Sequence, residues 1–260
     1  MNKGQIYFNW IFVVVIGAVM LTFFVGFAVK YKDLQEKKTE VVFLNNLDNA
    51  LTNLQSSSFT TSTNIDLPLD ININCSSAGY SLFIHQKNDV SYLLASKNKL
   101  RNKLYIWYEP YEMPFFVTNF YYLIDDRTNI RINSNFYNEI IGSMPDSFKQ
   151  RVSSDPNGIL IQGNVNEGTV NGNRYTGREM LYAAIFSENY NCFYEIVRRE
   201  FNKAIIIYQN KASLLSKGGC NYNRILSELN NLQNNFNYQT INNIEQMNRD
   251  LATANCPVLY

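Results

Sequence analysis

From Trp10 to Val29 the chain carries no charge and a single hydroxyl, that of Thr22. A run of about 20 apolar residues is ~30 Å long as a helix, the thickness of a bilayer's hydrocarbon core, and a water-soluble fold has no place for it. Trp10 and Tyr31 stand at its two ends, where amphipathic rings favour the headgroup level. A cleaved secretory signal has a shorter apolar region, about 7–15 residues, followed by a small-residue cleavage site. Here the run is longer and leads into Ala28-Val29-Lys30-Tyr31-Lys32. The expectation is a retained transmembrane helix over 10–29, preceded by a short leader over 1–9. The lipid bilayer is then its first partner.

Two signals bear on the side of the membrane, and they disagree. Lys3 precedes the apolar run, whereas Lys30, Lys32, Lys37 and Lys38 follow it. By the positive-inside rule that imbalance places the body in the cytoplasm. The chain's four cysteines, Cys75, Cys192, Cys220 and Cys256, argue for the exterior. They are even in number, widely spaced and without a C-x-x-C pair, and the one histidine, His85, is no neighbour of any of them. That pattern suits disulfides in an oxidising compartment better than zinc. Asn74-Cys75-Ser76 is also an N-glycosylation acceptor tripeptide. We read the body as extracellular.

Past the membrane the helix continues as a stalk over 30–55. Leu44, Leu47, Leu51 and Leu54 recur in steps of three and four, a stripe read as docking on the chain's own domain in preference to a homodimer seam. The polar stretch SSSFTTST, within 56–63, reads as a hinge. A period of two then takes over: Ile65, Leu67, Leu69, Ile71, Ile73 and Cys75 alternate with polar residues as one strand, with Pro68 marking a sheet edge. Further strands are expected over 80–85, 104–108 and 115–124, with 109–114 as a connector and a late hairpin around Asn166-Glu167-Gly168. His85 falls on the face of its strand opposite Tyr80, Leu82 and Ile84, a structural or solvent-facing place.

The period returns to 3.6 in the last third. Phe193, Val197, Phe201, Ile205 and Tyr208 form one stripe, closed by Lys217-Gly218-Gly219. Tyr222, Ile225, Leu229, Leu232 and Phe236 form a second stripe, and Ile241, Ile244, Met247 and Leu251 a third. The fold class is α+β: a β-rich domain over 64–175 with a mostly antiparallel sheet, and a helical hairpin region over 176–260 packed on it.

Helix geometry narrows the three ways of pairing four cysteines. The helix from Cys192 to Lys217 is nearly 40 Å long, so Cys192 and Cys220 lie at opposite ends of it. The two later helices go out from Cys220 and come back to Cys256. The expected bonds are Cys220–Cys256 and Cys75–Cys192.

The first residues carry a resemblance. Lys3-Gly4-Gln5 before a long apolar helix resembles the leader of archaeal type IV pilin-like proteins, which implies processing between Gly4 and Gln5. The family's usual Glu, five residues into the mature chain, is replaced here by Asn9. FNWIFVVVIGAVMLTFF, MPFFVTNFYYL and the ending CPVLY resemble single-pass membrane proteins of small-genome archaea. That likeness implies membrane anchorage and no particular activity.

Chemistry is sparse. A net charge of +1 provides no footprint for nucleic acid. The basic residues Lys97, Lys99, Arg101 and Lys103 alternate with polar ones, as on a solvated surface. There is no phosphate loop, no H-E-x-x-H and no nucleophile elbow. Asp125 and Asp126 read as solvated turn carboxylates, and Arg198-Arg199-Glu200 as a helix surface. No catalytic, cofactor or metal site is expected. The aromatic stretch LYIWYEPYEMPFFVTNFYYL reads mainly as core, but Trp107, Tyr108, Tyr111 and Tyr121, interleaved with Glu109 and Glu112, form the place where a ligand surface is expected.

These features lead to a membrane-anchored cell-envelope protein with an exterior binding, adhesion or structural role. The alternatives are a pilin-like subunit and an accessory subunit of a membrane complex. In the last, Gly17, Ala18 and Gly26 would let a membrane protein partner's helix approach closely.

Overall fold

One helix, α1 (Lys3–Ser56), carries the apolar run and the stalk without interruption. It belongs to a computed structural model that describes residues 3–56, 61–68, 70–76, 79–82 and 91–260. The chain divides into two units, Met1–Asp48 and Asn49–Tyr260.

Along the apolar run of the first unit, from Trp10 to Val29, the large apolar side chains stand exposed around α1, with Trp10, Leu21 and Phe23 each about 70% accessible (70%, 69% and 71%). An all-round apolar surface of this kind is costly in water and suited to lipid. It is the one helix among the described residues long and apolar enough to cross a membrane. Thr22 spends its hydroxyl on the Ala18 carbonyl at 2.8 Å, so no polar group is left bare there.

The second unit begins with the last turns of α1. Leu54 is buried, and the Leu51 carbonyl accepts a hydrogen bond from the Tyr121 hydroxyl at 3.1 Å. The end of the stalk therefore docks on its own domain. The expected hinge, 56–63, lies partly outside the described residues: α1 runs to Ser56, and β1 (Thr61–Asp66) takes in its last three positions.

The expected long strand is two strands. β1 ends before Pro68, and β2 (Ile71–Ser76) enters a different sheet with β3 (Gly79–Leu82). Proline has no N–H for a ladder, and the chain changes sheets there. The period-two reading holds inside β2, where Ile71 and Ile73 are buried and Asn72 is exposed. His85 lies outside the described residues, as do the side chains of Asn74 and Ser76.

β4 (Ser91–Ala95), β5 (Lys99–Leu100), β6 (Lys103–Glu112) and β7 (Phe116–Asp125) follow. The main sheet has the order β1-β6-β7-β4, and the small sheet β3-β2-β5. β1 pairs antiparallel with β6 along the sheet edge, and Pro68, expected within an edge strand, stands instead in the bend between β1 and β2. The stretch expected to connect two strands, 109–114, is mostly strand: Glu109 opposes Phe120, Pro110 opposes Asn119 and Tyr111 opposes Thr118. Among the described residues β1 reaches only Tyr108, so Pro110 sits where β6 is paired on one side, the setting a strand proline tolerates.

β8 (Ile130–Asn133) leads through α2 (Tyr137–Gly142) and α3 (Asp146–Lys149) to β9 (Val152–Ser154), which lies parallel to it. β10 (Ile159–Gly163), β11 (Glu167–Val170) and β12 (Asn173–Thr176) form the expected late hairpin, extended by one strand. This second large sheet has the order β12-β11-β10-β8-β9. Then come α4 (Arg178–Phe186), α5 (Tyr190–Leu215), a 3-10 turn (Ser216–Gly218), α6 (Asn223–Asn234) and α7 (Tyr238–Thr253).

α4 and α5 pack on the main sheet, and the helical hairpin α6–α7 follows α5. The three stripes read from the sequence supply the buried faces: Phe193, Val197, Phe201 and Ile205 from α5, Ile225, Leu229 and Leu232 from α6, and Ile241, Ile244 and Leu251 from α7. α7 starts on Asn237, whose side chain accepts the Thr240 N–H at 2.8 Å. The chain then returns as a strap. Asn248 accepts the Leu259 N–H and donates to the Tyr260 carbonyl, while the Tyr222 hydroxyl donates to the Pro257 carbonyl.

Candidate functional site

The four residues expected to form an aromatic ligand surface are interior. Trp107 and Tyr111 are fully buried, Tyr121 is 1% accessible and Tyr108 6%. They also lie on opposite faces of the main sheet, because side chains alternate along a strand. Trp107 and Tyr111 face the helices: Trp107 has ring centroids 4.7 Å from both Tyr122 and Tyr182 and 5.4 Å from Phe148, and Tyr111 stacks on Phe120 at 4.9 Å. Tyr108 and Tyr121 are neighbours at 5.2 Å on the other face, the one that meets the Leu51 carbonyl. Burying this much ring area is what makes β6 and β7 the centre of the core.

Between Trp107 and Tyr111, on the same face, lies Glu109. It is 3% accessible, and its Oε2 has no hydrogen-bond partner among the described residues. Its Oε1 faces Arg178 Nη2 at 3.6 Å, and that nitrogen is also 3.8 Å from Glu179 Oε1. Gly177 sets up this group at the start of α4. Its φ is +93°, and a Cβ there would collide with Met113, so only glycine brings Arg178 and Glu179 over the end of β6. The Tyr122 hydroxyl donates to the Glu179 carbonyl at 2.9 Å.

Burial pushes the Glu109 carboxyl up to about 8, and the like charge of Glu179 adds to it. Arg178 pulls the other way and loses, because its guanidinium is 44% accessible and spends much of its field in water. The Glu179 carboxyl is raised too, chiefly by burial. Tyr182, also pushed up by burial to about 12, donates to the Ile140 carbonyl at 2.9 Å. The sequence reading placed Glu109 in a connector and so missed a carboxylic acid held neutral inside an aromatic core.

A second feature is open to solvent. A hollow of about 570 Å³ is bounded by Ser96 after β4, Ile159 on β10, Asn171 and Asn173 at the β11–β12 turn, and the entry to α5 from Ser187 to Cys192. A hollow of about 420 Å³ adjoins it, sharing Ser96, Ile159, Asn171 and Ile185, and reaches Asn129 and Asn157. Glu109 and Glu179 line neither. The β11–β12 turn is Asn171-Gly172 with both φ positive, +48° and +83°, as a tight two-residue hairpin requires. Nothing in the sequence brought these strand ends and the start of α5 together in advance.

The cysteines pair as Cys75–Cys192 and Cys220–Cys256, with Cα separations of 6.1 and 6.0 Å, the two bonds that the helix geometry predicts. Among the described residues no group of three His, Cys, Asp or Glu side chains is placed to hold a metal ion. Asp125 departs from the solvated carboxylate expected. It is 2% accessible, accepts from the Thr128 hydroxyl at 2.7 Å and lies 3.7 Å from Lys97, so it pins the turn after β7. Lys99 and Arg101 both pair with Asp70, which ties the basic run to the protein's own surface.

Compared with protein-family models, curated proteins and solved structures, the chain matches none.

Proposed function

We propose that this chain is a single-pass, membrane-anchored cell-envelope protein whose body lies outside the cell and serves in binding, adhesion or envelope structure, without catalysis. The observation that carries the reading is a body closed by two disulfides on an apolar helix. Disulfides persist in oxidising compartments and are rare in the reducing cytosol. The partners that follow are the bilayer and a membrane or cell-surface protein.

Thiol labelling tests it. A maleimide that does not cross membranes should leave the chain unlabelled in intact cells until a reductant is added, and label it afterwards. Free thiols that react only after lysis would place the body in the cytoplasm.

A second reading is a pilin-like subunit cut between Gly4 and Gln5. The unbroken helix from Lys3 to Ser56 favours it, since a mature chain starting at Gln5 would present its apolar half directly to other subunits. Mass spectrometry of the native amino terminus separates the two: a start at Gln5 supports the pilin reading, and an intact leader removes it.

A further inference from the structure

We propose that the hollow between the β11–β12 turn and the entry to α5 is a binding site for a neutral saccharide, held by the side-chain amides of Asn173 and Asn191. The inference rests on the reading of the body as a binding domain, but not on the side of the membrane it occupies.

Size comes first. At about 570 Å³ the hollow falls within the range of small-molecule sites, roughly 300–1,000 Å³. Its continuation of about 420 Å³ gives room for more than one ring.

The polar groups that line it then divide into two sets. One set is already engaged. Asn171 Oδ1 accepts the Leu160 N–H at 3.0 Å, Asn189 donates to Asn98 Oδ1 at 2.7 Å, and Glu188 accepts the Asn98 N–H. In the adjoining hollow Arg131 is paired with Asp155 at 3.2 Å and Lys97 with Asp125 at 3.7 Å. The other set has nothing to do: among the described residues, the amides of Asn173 and Asn191 make no hydrogen bond. In the adjoining hollow the charges are paired, and in the larger one the single charged group, Glu188, is spent on the Asn98 N–H at the rim, so the groups left free for a ligand are the two amides.

That offer selects a chemistry. An amide presents one donor group and one acceptor side by side, and adjacent sugar hydroxyls each donate and accept. Ile159, half-buried and backed by the buried Ile185, gives the hollow an apolar spot against which the C–H face of a ring can rest. An anionic ligand finds no cation in the larger hollow, and an apolar one would strip water from the amides without replacing it. An extended peptide would pair with a strand edge, whereas this site is built from strand ends, a turn and a helix start.

The test uses the full chain in a detergent without a sugar head group. It is applied to an array of neutral glucose-, mannose-, galactose- and N-acetylglucosamine-based oligosaccharides, followed by calorimetry with the best-retained one. We expect retention on at least one neutral glycan and about tenfold weaker binding in Asn173→Ala and in Asn191→Ala, with the melting temperature unchanged. Should Asn173→Ala melt early, Asn191→Ala alone decides, since that residue is exposed on the first turn of α5. Retention of charged glycans only, competition by peptides, no retention at all, or equal binding by the variants would each overturn the proposal. Failure here with exterior thiol labelling sinks the saccharide alone; glycan binding with cytoplasmic thiols sinks the location alone.

Discussion

Replacing Glu109 by Gln should change how the stability of this protein depends on pH. In the folded chain burial holds the carboxyl up at about 8, against 4.5 for the same group in water. Between those two values the folded state holds a proton that the unfolded state has released. Stability therefore falls as pH rises through this window, by about 1.36 kcal/mol per pH unit, and levels off above pH 8. The interval corresponds to a loss on the order of 4 kcal/mol between pH 4.5 and pH 8, and none below pH 4.5. Glutamine is neutral throughout and close in shape, so Glu109→Gln should match the parent near pH 4.5 and exceed it clearly at pH 9. Arg178 keeps Glu179 as a partner in the variant, and the raised Glu179 leaves a slope of the same sign in both proteins. Urea unfolding of the full chain in detergent micelles at pH 5, 7 and 9 measures this directly. Parallel stability curves for parent and variant would refute a neutral carboxyl in the core.

Two further outcomes can be checked by the same melts. Trp107→Ala removes the ring wedged among Tyr122, Phe148, Tyr182 and Phe186 and should cost about 3–5 kcal/mol; a nearly unchanged midpoint would return Trp107 to the surface. Serine pairs at each disulfide should destabilise in the order of the loops they open. By chain entropy that is about 4 kcal/mol for Cys220–Cys256, 36 residues apart, and nearer 5 for Cys75–Cys192, 117 apart; a reversed order would argue against the entropic account.

How far the sequence could be read follows from where each element finds its partners. α5, α6 and α7 announce themselves because each buries only one face, and a stripe of period 3.6 is a local signal. α4 is buried nearly all round, so Met180 to Phe186 show no stripe and the helix goes unread. β4, β8 and β9 are three to five residues long and pair in parallel with strands reached by crossovers, which leaves no hairpin to find. The aromatic run gave the position of the core, but both faces of β6 and β7 are covered, and alternation cannot separate an exposed face from a second buried one. Glu109 was hidden by Pro110, which made a strand look like a loop. The saccharide hollow joins residues from β10, β11, β12, α4 and α5 to Ser96 after β4, and no spacing encodes it.

The two disulfides also decide what a single cut can do to this molecule. A peptide bond broken anywhere between Cys75 and Cys192 leaves its two pieces joined through sulfur, and so does one broken between Cys220 and Cys256. Within the cysteine-bounded part of the body, the interval that no disulfide spans runs from Cys192 to Cys220. That interval is occupied by α5 and its closing 3-10 turn. Proteases need an extended segment to bind and cut, and a packed helix withholds one. The strands and the hairpin α6–α7 are thus covalently looped, and the stretch left single is one long helix that already denies access. A copy nicked inside either loop would keep its two pieces together.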